Sequence, residues 1–198
     1  MILNSQNNRF KHRICLLILL IGWMGAFHTE ASILPESSAD TEVANYQEYI
    51  NMYYRQAIQL QQKYKIPASI ILAQALLESG AGQSFLALAG NNHFGLKCVD
   101  WQGLCINKND DKKNDCFRKY LNVSDSFEDY SRFLSERVYY KPLFTLKITD
   151  YKAWAKGLKQ CGYATDPQYE AKLIQIIEKY KLHYYNTAKE NDPPVKFN

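Results

Sequence analysis

Glu78 closes an apolar run, Ala68 to Leu77, and is followed at once by the small-residue turn Ser79-Gly80-Ala81-Gly82-Gln83-Ser84. The apolar run reads as a buried helix with Pro67 at its first turn. Glu78 then stands at the negative end of that helix's dipole, against a largely apolar wall. Both influences disfavour an ionised carboxylate. A glutamic acid that holds its proton near neutral pH can donate it to the leaving oxygen of a sugar. Many glutamates at helix ends are simply solvated, so the role depends on what the neighbouring residues build around it.

Those neighbours form a connected pattern. The string AQALLESGAGQS, followed by Asn91-Asn92-His93-Phe94-Gly95-Leu96-Lys97, resembles the core motif of glycoside hydrolase family 73. These are N-acetylglucosaminidases that cut bacterial peptidoglycan, described also as mannosyl-glycoprotein endo-beta-N-acetylglucosaminidase-like domains. The resemblance resumes at Cys116-Phe117-Arg118-Lys119-Tyr120, at Ser126-Phe127-Glu128-Asp129-Tyr130 and at Gly162-Tyr163-Ala164-Thr165-Asp166-Pro167. It spans residues 46–182 in the family's order and implies an exported endo-β-N-acetylglucosaminidase that cleaves GlcNAc-β-1,4-MurNAc bonds, with Glu78 as general acid.

Glycoside hydrolysis ordinarily uses a second carboxylate, to activate water or to stabilise the positive sugar. The resemblance implies that this group sits in a β-hairpin and is usually glutamate. Here the hairpin region offers Asp110, Asp111 and Asp115 but no glutamate, which is a departure from the family pattern. Asp110 is the first candidate and Asp111 the second; a solvated turn is the competing reading, since aspartate favours turns. The missing glutamate keeps a muramidase or lytic transglycosylase open as an alternative, and a non-catalytic peptidoglycan-binding module as another.

For the substrate, the resemblance places Tyr163 in the cleft beside the acid. Phe94 and Trp101 are further candidates for stacking on sugars, although in a chain with 15 Tyr and 9 Phe a given aromatic is more often core. Asn92 offers an amide to an N-acetyl group, or else satisfies local backbone. Tyr169, one turn into the last helix, reads as a packing residue.

The elements that must position these groups are mostly helical. Tyr46, Ile50, Tyr53, Ala57 and Leu60 recur at helical spacing, predicting an amphipathic helix over 46–64 ahead of the buried one. A short helix is expected over 83–89. Residues 94–120 hold short apolar pieces around a polar run, the pattern of a small β-hairpin with a charged tip. Asp125 and Glu128 suggest a capping box opening a helix over 126–138. Thr149 can cap a helix through Gln160, and Asp166-Pro167 can start one to Leu182. The expected class is α+β, predominantly helical, a lysozyme-like fold with a small β-hairpin lobe.

At 198 residues the chain suits one domain. Arg9, Lys11 and Arg13 precede the apolar run Ile14 to Phe27, and Thr29-Glu30-Ala31 offers a cleavage site, so residues 1–31 read as a secretory signal peptide. That run is short of the roughly 20 residues a membrane span needs, so no stable anchor is expected after cleavage. Residues 32–45 read as a linker and 183–198 as a flexible tail. Loss of three basic residues and one acidic one takes the net charge from +4 to +2, which gives no case for nucleic acid. The expected partner is the peptidoglycan glycan strand, met by a monomer in the periplasm or envelope without cofactor.

Cys98, Cys105, Cys116 and Cys161 remain after cleavage, and an exported chain usually pairs them, in any of three connectivities. Cys98 with Cys116 is favoured because it staples the base of the loop between them. A zinc site is the rival, but it lacks Cys-x-x-Cys spacing and has His93 as its one nearby histidine, so no metal is expected.

Overall fold

The computed structural model describes residues 38–109 and 113–196. The expected signal peptide, Asp110 and Asp111 lie outside the described residues. Among the described residues six α-helices, α1 (Ser38–Tyr64), α2 (Ala68–Ser79), α3 (Phe85–Gly90), α4 (Val123–Glu136), α5 (Tyr151–Gln160) and α6 (Tyr169–Lys179), pack around one apolar core. Two short 3-10 helices, Val138–Thr145 and Leu182–Asn186, complete the helical part. Strands β1 (Cys105–Lys108) and β2 (Asp115–Arg118) form an antiparallel hairpin between α3 and α4.

Helix α2 is the axis of the fold because its sequence leaves it no polar face. Every residue from Ala68 to Leu76 is buried, Ser69 and Gln74 included. Around it pack α1, α5, α6 and the 3-10 helix at Leu182–Asn186. Burying each Leu or Ile contributes about 1.5–3 kcal/mol, so this helix carries a large share of the core. It ends where Gly80 turns left-handed (φ 57°) and its N–H bonds back to the Leu76 carbonyl. Gly82 (φ 84°) follows, and a Cβ there would come within 3.3 Å of the Tyr49 ring. The glycine-rich turn thus stops the helix one residue past Glu78 and lets the chain pass close under α1.

The hairpin is tied down by polar groups. Asp129 of α4, nearly buried, accepts from Arg118 Nη1 at 2.7 Å, from the Tyr120 hydroxyl at 2.7 Å and from Arg132 Nη2 at 2.6 Å. Arg118 also donates to the Lys97 and Val99 carbonyls at 3.0 and 2.8 Å. One β2 arginine therefore fixes segment 97–99 against α4. A disulfide joins Cys98 to Cys116 in the same place, the pairing favoured from the sequence, while Cys105 and Cys161 are free thiols.

Several boundaries differ from the sequence reading. Helix α1 begins at Ser38, so the second half of the expected linker is helical. The caps lie elsewhere than expected: Asn122 rather than Asp125 opens α4, with its side chain accepting from the Asp125 N–H, and Asp150 rather than Thr149 opens α5. Helix α6 starts two residues beyond Pro167, at Tyr169. The tail expected to be flexible is docked as far as Val195. Tyr185 and Asn186 are buried, Asn186 Oδ1 accepts from the Ser69 N–H at 2.9 Å, and Tyr54 and Gln47 of α1 donate to the carbonyls of Asp192 and Val195. The polar composition of the tail hid this, because beyond Asn186 its anchors are largely backbone carbonyls met by side chains of α1. Among the described residues, no helix is long and apolar enough to cross a membrane.

Candidate active site

Glu78 is half-buried and opens onto a cleft of about 750 Å³. Leu77 and Glu78 come from the end of α2, and Phe94 to Lys97 with Val99 from the segment that Arg118 and the disulfide hold. Phe133 and Arg137 come from the end of α4, Tyr139 and Tyr140 from the 3-10 helix after it, and Gly162 to Asp166 from the turn after α5. Tyr169 and Lys172 from α6 close the lining.

The carboxylate is held by a chain of buried donors and acceptors. The Tyr169 hydroxyl donates to Glu78 Oε1 at 2.8 Å, and Gln74 Nε2 donates to the same Tyr169 oxygen at 2.8 Å. Tyr130 donates in turn to Gln74 Oε1. Gln74 and Glu78 are four residues apart, which puts both side chains on one face of α2. Burial above all, with the Glu78 charge adding to it, pushes the Tyr130, Tyr163 and Tyr169 phenols well above their ordinary range. These hydroxyls therefore stay protonated and available as donors.

Tyr163 lies in the cleft, its ring stacked on Tyr169 with centroids 5.8 Å apart and its hydroxyl donating to the Phe94 carbonyl at 3.3 Å. Phe94 also touches the cleft, but its ring is buried and stacked on Tyr130 at 3.9 Å. Two other candidates lie elsewhere. Asn92 is buried away from the cleft, donating to the Leu96 and Arg118 carbonyls and accepting from the Leu96 N–H. Its amide ties the loop to β2 and has no path to a sugar. Trp101 lines two neighbouring hollows instead, where its indole N–H donates to the Leu104 carbonyl and Arg118 lies over its ring.

Asp110 and Asp111, outside the described residues, have no placement here. The hairpin aspartate that is described, Asp115, is mostly buried and bonded to Lys97 Nζ at 2.9 Å, and Lys97 lines the cleft. Sequence reading missed Gln74, Tyr139, Tyr140, Arg137 and the polar role of Tyr169. Gln74 left a legible signal, a lone amide inside an apolar helix four residues before the acid. For metal ligation, among the described residues the sulfurs of Cys98, Cys105 and Cys116 converge within 4.8 Å, two of them bonded to each other.

A mostly helical domain with a glutamate at the close of its central helix, facing a cleft beside a small hairpin, has the lysozyme-like fold. The family model described as mannosyl-glycoprotein endo-beta-N-acetylglucosaminidase matches residues 54–182, and the chain belongs to this glucosaminidase family. It is 33% identical to the exo-glucosaminidase LytG of Bacillus subtilis, over 82% of this chain and 62% of that protein. It is 36% identical to the peptidoglycan hydrolase FlgJ of Vibrio parahaemolyticus, over 58% of this chain and 41% of that one. The chain thus spans less than two-thirds of these relatives' lengths. Among solved structures, a peptidoglycan hydrolase from Sphingomonas sp. A1 superposes with a TM-score of 0.61 at 29% identity, over 72% of this chain and 96% of that one.

Proposed function

We propose that the chain is an exported peptidoglycan hydrolase that cleaves GlcNAc-β-1,4-MurNAc bonds, with Glu78 as the general acid. The observation that carries this reading is the Glu78 carboxyl in the cleft, aimed by Tyr169, within a family whose relatives are named for peptidoglycan or glucosaminidase activity. Glu78 protonates the glycosidic oxygen as the C–O bond breaks, and the Tyr169 hydroxyl steadies the negative charge that then develops on the carboxylate. Tyr163 supplies an aromatic face to the sugar beside that bond.

The second carboxylate comes from the hairpin tip, with Asp110 ahead of Asp111, and acts on the water or on the positive sugar once substrate is bound. Asp110→Asn and Asp111→Asn, assayed side by side, name it by which one loses turnover. The basic and apolar start of the sequence supports export by a signal peptide, and the catalytic domain works without cofactor, as a monomer. LytG's name favours a second reading, in which release is from chain ends rather than within strands. Mass spectrometry of digested peptidoglycan tests both. Reducing-end GlcNAc on products that shorten from all sizes supports internal cleavage, and disaccharides released from the start support the end-acting reading. Reducing MurNAc or an anhydro sugar contradicts the proposal and points to the muramidase or transglycosylase alternative.

A further inference from the structure

Phe133 and Arg137 line the cleft at Glu78 and also a second, adjoining hollow of about 550 Å³, so that the two residues form the rim between them. The second hollow is polar: Arg118 and Arg132 face Asp129 within it, and Asp100 and Glu136 complete its charged wall. We infer that this hollow is a subsite for the peptide stem of the substrate, with Arg137 reading a stem carboxylate at the crossing point; the inference rests on the peptidoglycan reading of the cleft.

Three cations line the cleft, and they differ in how they are held. Lys97 is engaged by Asp115, whose side chain is 14% exposed. Lys172 is engaged by Asp166 at 2.6 Å, at the start of α6. Arg137 meets Asp100 through Nη2 alone, at 3.1 Å, and the Asp100 side chain is 75% exposed. The Arg137 side chain is itself only 30% exposed, but its carboxylate partner stands in water, and a pair open to solvent on that side adds little and exchanges readily for another carboxylate. The guanidinium carbon also lies over the Phe133 ring, 5.1 Å from its centre, a cation–π contact that restrains the side chain. A planar fork, held by an aromatic and weakly paired in water, suits two-point binding of a carboxylate.

The substrate supplies such a group in the right relation. In peptidoglycan the muramic acid carries, on its lactyl ether, a peptide stem with free carboxylates and amides. A sugar seated at Glu78 has to send that stem out over one rim of the cleft. The Phe133–Arg137 rim leads to a hollow whose mixed charges match a stem that carries both signs, whereas an unsubstituted N-acetylglucosamine polymer has nothing to place there.

The test uses soluble glycan strands with intact stems, and the same strands after an amidase has removed them. Wild-type protein is expected to prefer stem-bearing strands in kcat/KM. Arg137→Ala should lower that preference about tenfold, mainly through KM on the stem-bearing strands, as loss of a charge-assisted bond would. Arg137→Lys, which keeps the charge without the fork, should restore only part; it also carries the test should the alanine variant not fold. An unchanged preference, or an equal fall on both kinds of strand, overturns the subsite. Wild-type protein that cleaves neither strand overturns the peptidoglycan reading itself, a separate failure.

Discussion

The Tyr169 hydroxyl lies 2.8 Å from Glu78 Oε1 and accepts, on its own oxygen, a hydrogen bond from Gln74. Gln74 thereby polarises a donor aimed at the acid. As the Glu78 proton passes to the leaving oxygen, negative charge grows on the carboxylate and the Tyr169 bond strengthens, so its benefit is largest in the transition state. Tyr169→Phe keeps the ring and its stacking on Tyr163. We expect kcat to fall roughly 10- to 100-fold with KM little changed, the effect of losing one hydrogen bond to a charged group. Steady-state kinetics on soluble glycan strands measure it, and an unchanged kcat would assign Tyr169 to packing alone.

How much of this was legible beforehand follows from where each signal sits in the chain. The position of Glu78 at a helix end is legible because its helix is apolar from Ala68 onward and its turn is rich in glycine, two local patterns that need no tertiary information. The Cys98–Cys116 staple is legible for a similarly local reason, the loop it closes. Tyr169 looked like packing because its ring is indeed buried; its partner lies 91 residues away in sequence, where no periodicity reaches. Asn92 misled because buried and exposed asparagines look alike in a loop sequence, and here its amide holds three backbone groups. Arg137 was invisible for the opposite reason, since it caps a helix end in a segment with no pattern of its own.

The hairpin's attachment gives a stability prediction. Asp129 faces Arg118 with both side chains nearly buried, 6% and 7% exposed. Burial alone would push the Asp129 carboxyl up, but the bonds from Tyr120, Arg118 and Arg132 outweigh it and hold it below the usual range. Asp129→Ala leaves the Arg118 charge buried without its partner, a change that costs about 3–5 kcal/mol. Urea unfolding should show that loss, and hydrogen exchange should show β2 and segment 97–99 opening first. A loss under about 1 kcal/mol would mean the cluster is dispensable.

Acid should weaken the fold through His93. This ring is buried, shares a 2.6 Å hydrogen bond with the Tyr49 hydroxyl through Nδ1, and is packed among Tyr49, Tyr53 and Phe127. Burial pushes its pKa from the ordinary 6.5 down to about 4. Between those values the unfolded chain takes up a proton that the folded chain refuses. The stability contributed by neutral His93 is therefore complete above pH 6.5 and lost as the pH falls toward about 4. The size is roughly 3 kcal/mol. Urea midpoints measured from pH 7 to pH 4 should fall across that window, and the fall should be smaller in His93→Gln. An equal pH dependence in both proteins would locate the titrating group elsewhere.

General acid catalysis by Glu78 is tested most directly by Glu78→Gln, which keeps the side chain's size and its place beside Tyr169 but removes the transferable proton. The expected result is an unfolding midpoint close to that of the parent protein and a loss of peptidoglycan hydrolysis of at least about 100-fold, measured as reducing ends released. A folded Gln variant that hydrolyses peptidoglycan at the parent rate would contradict it.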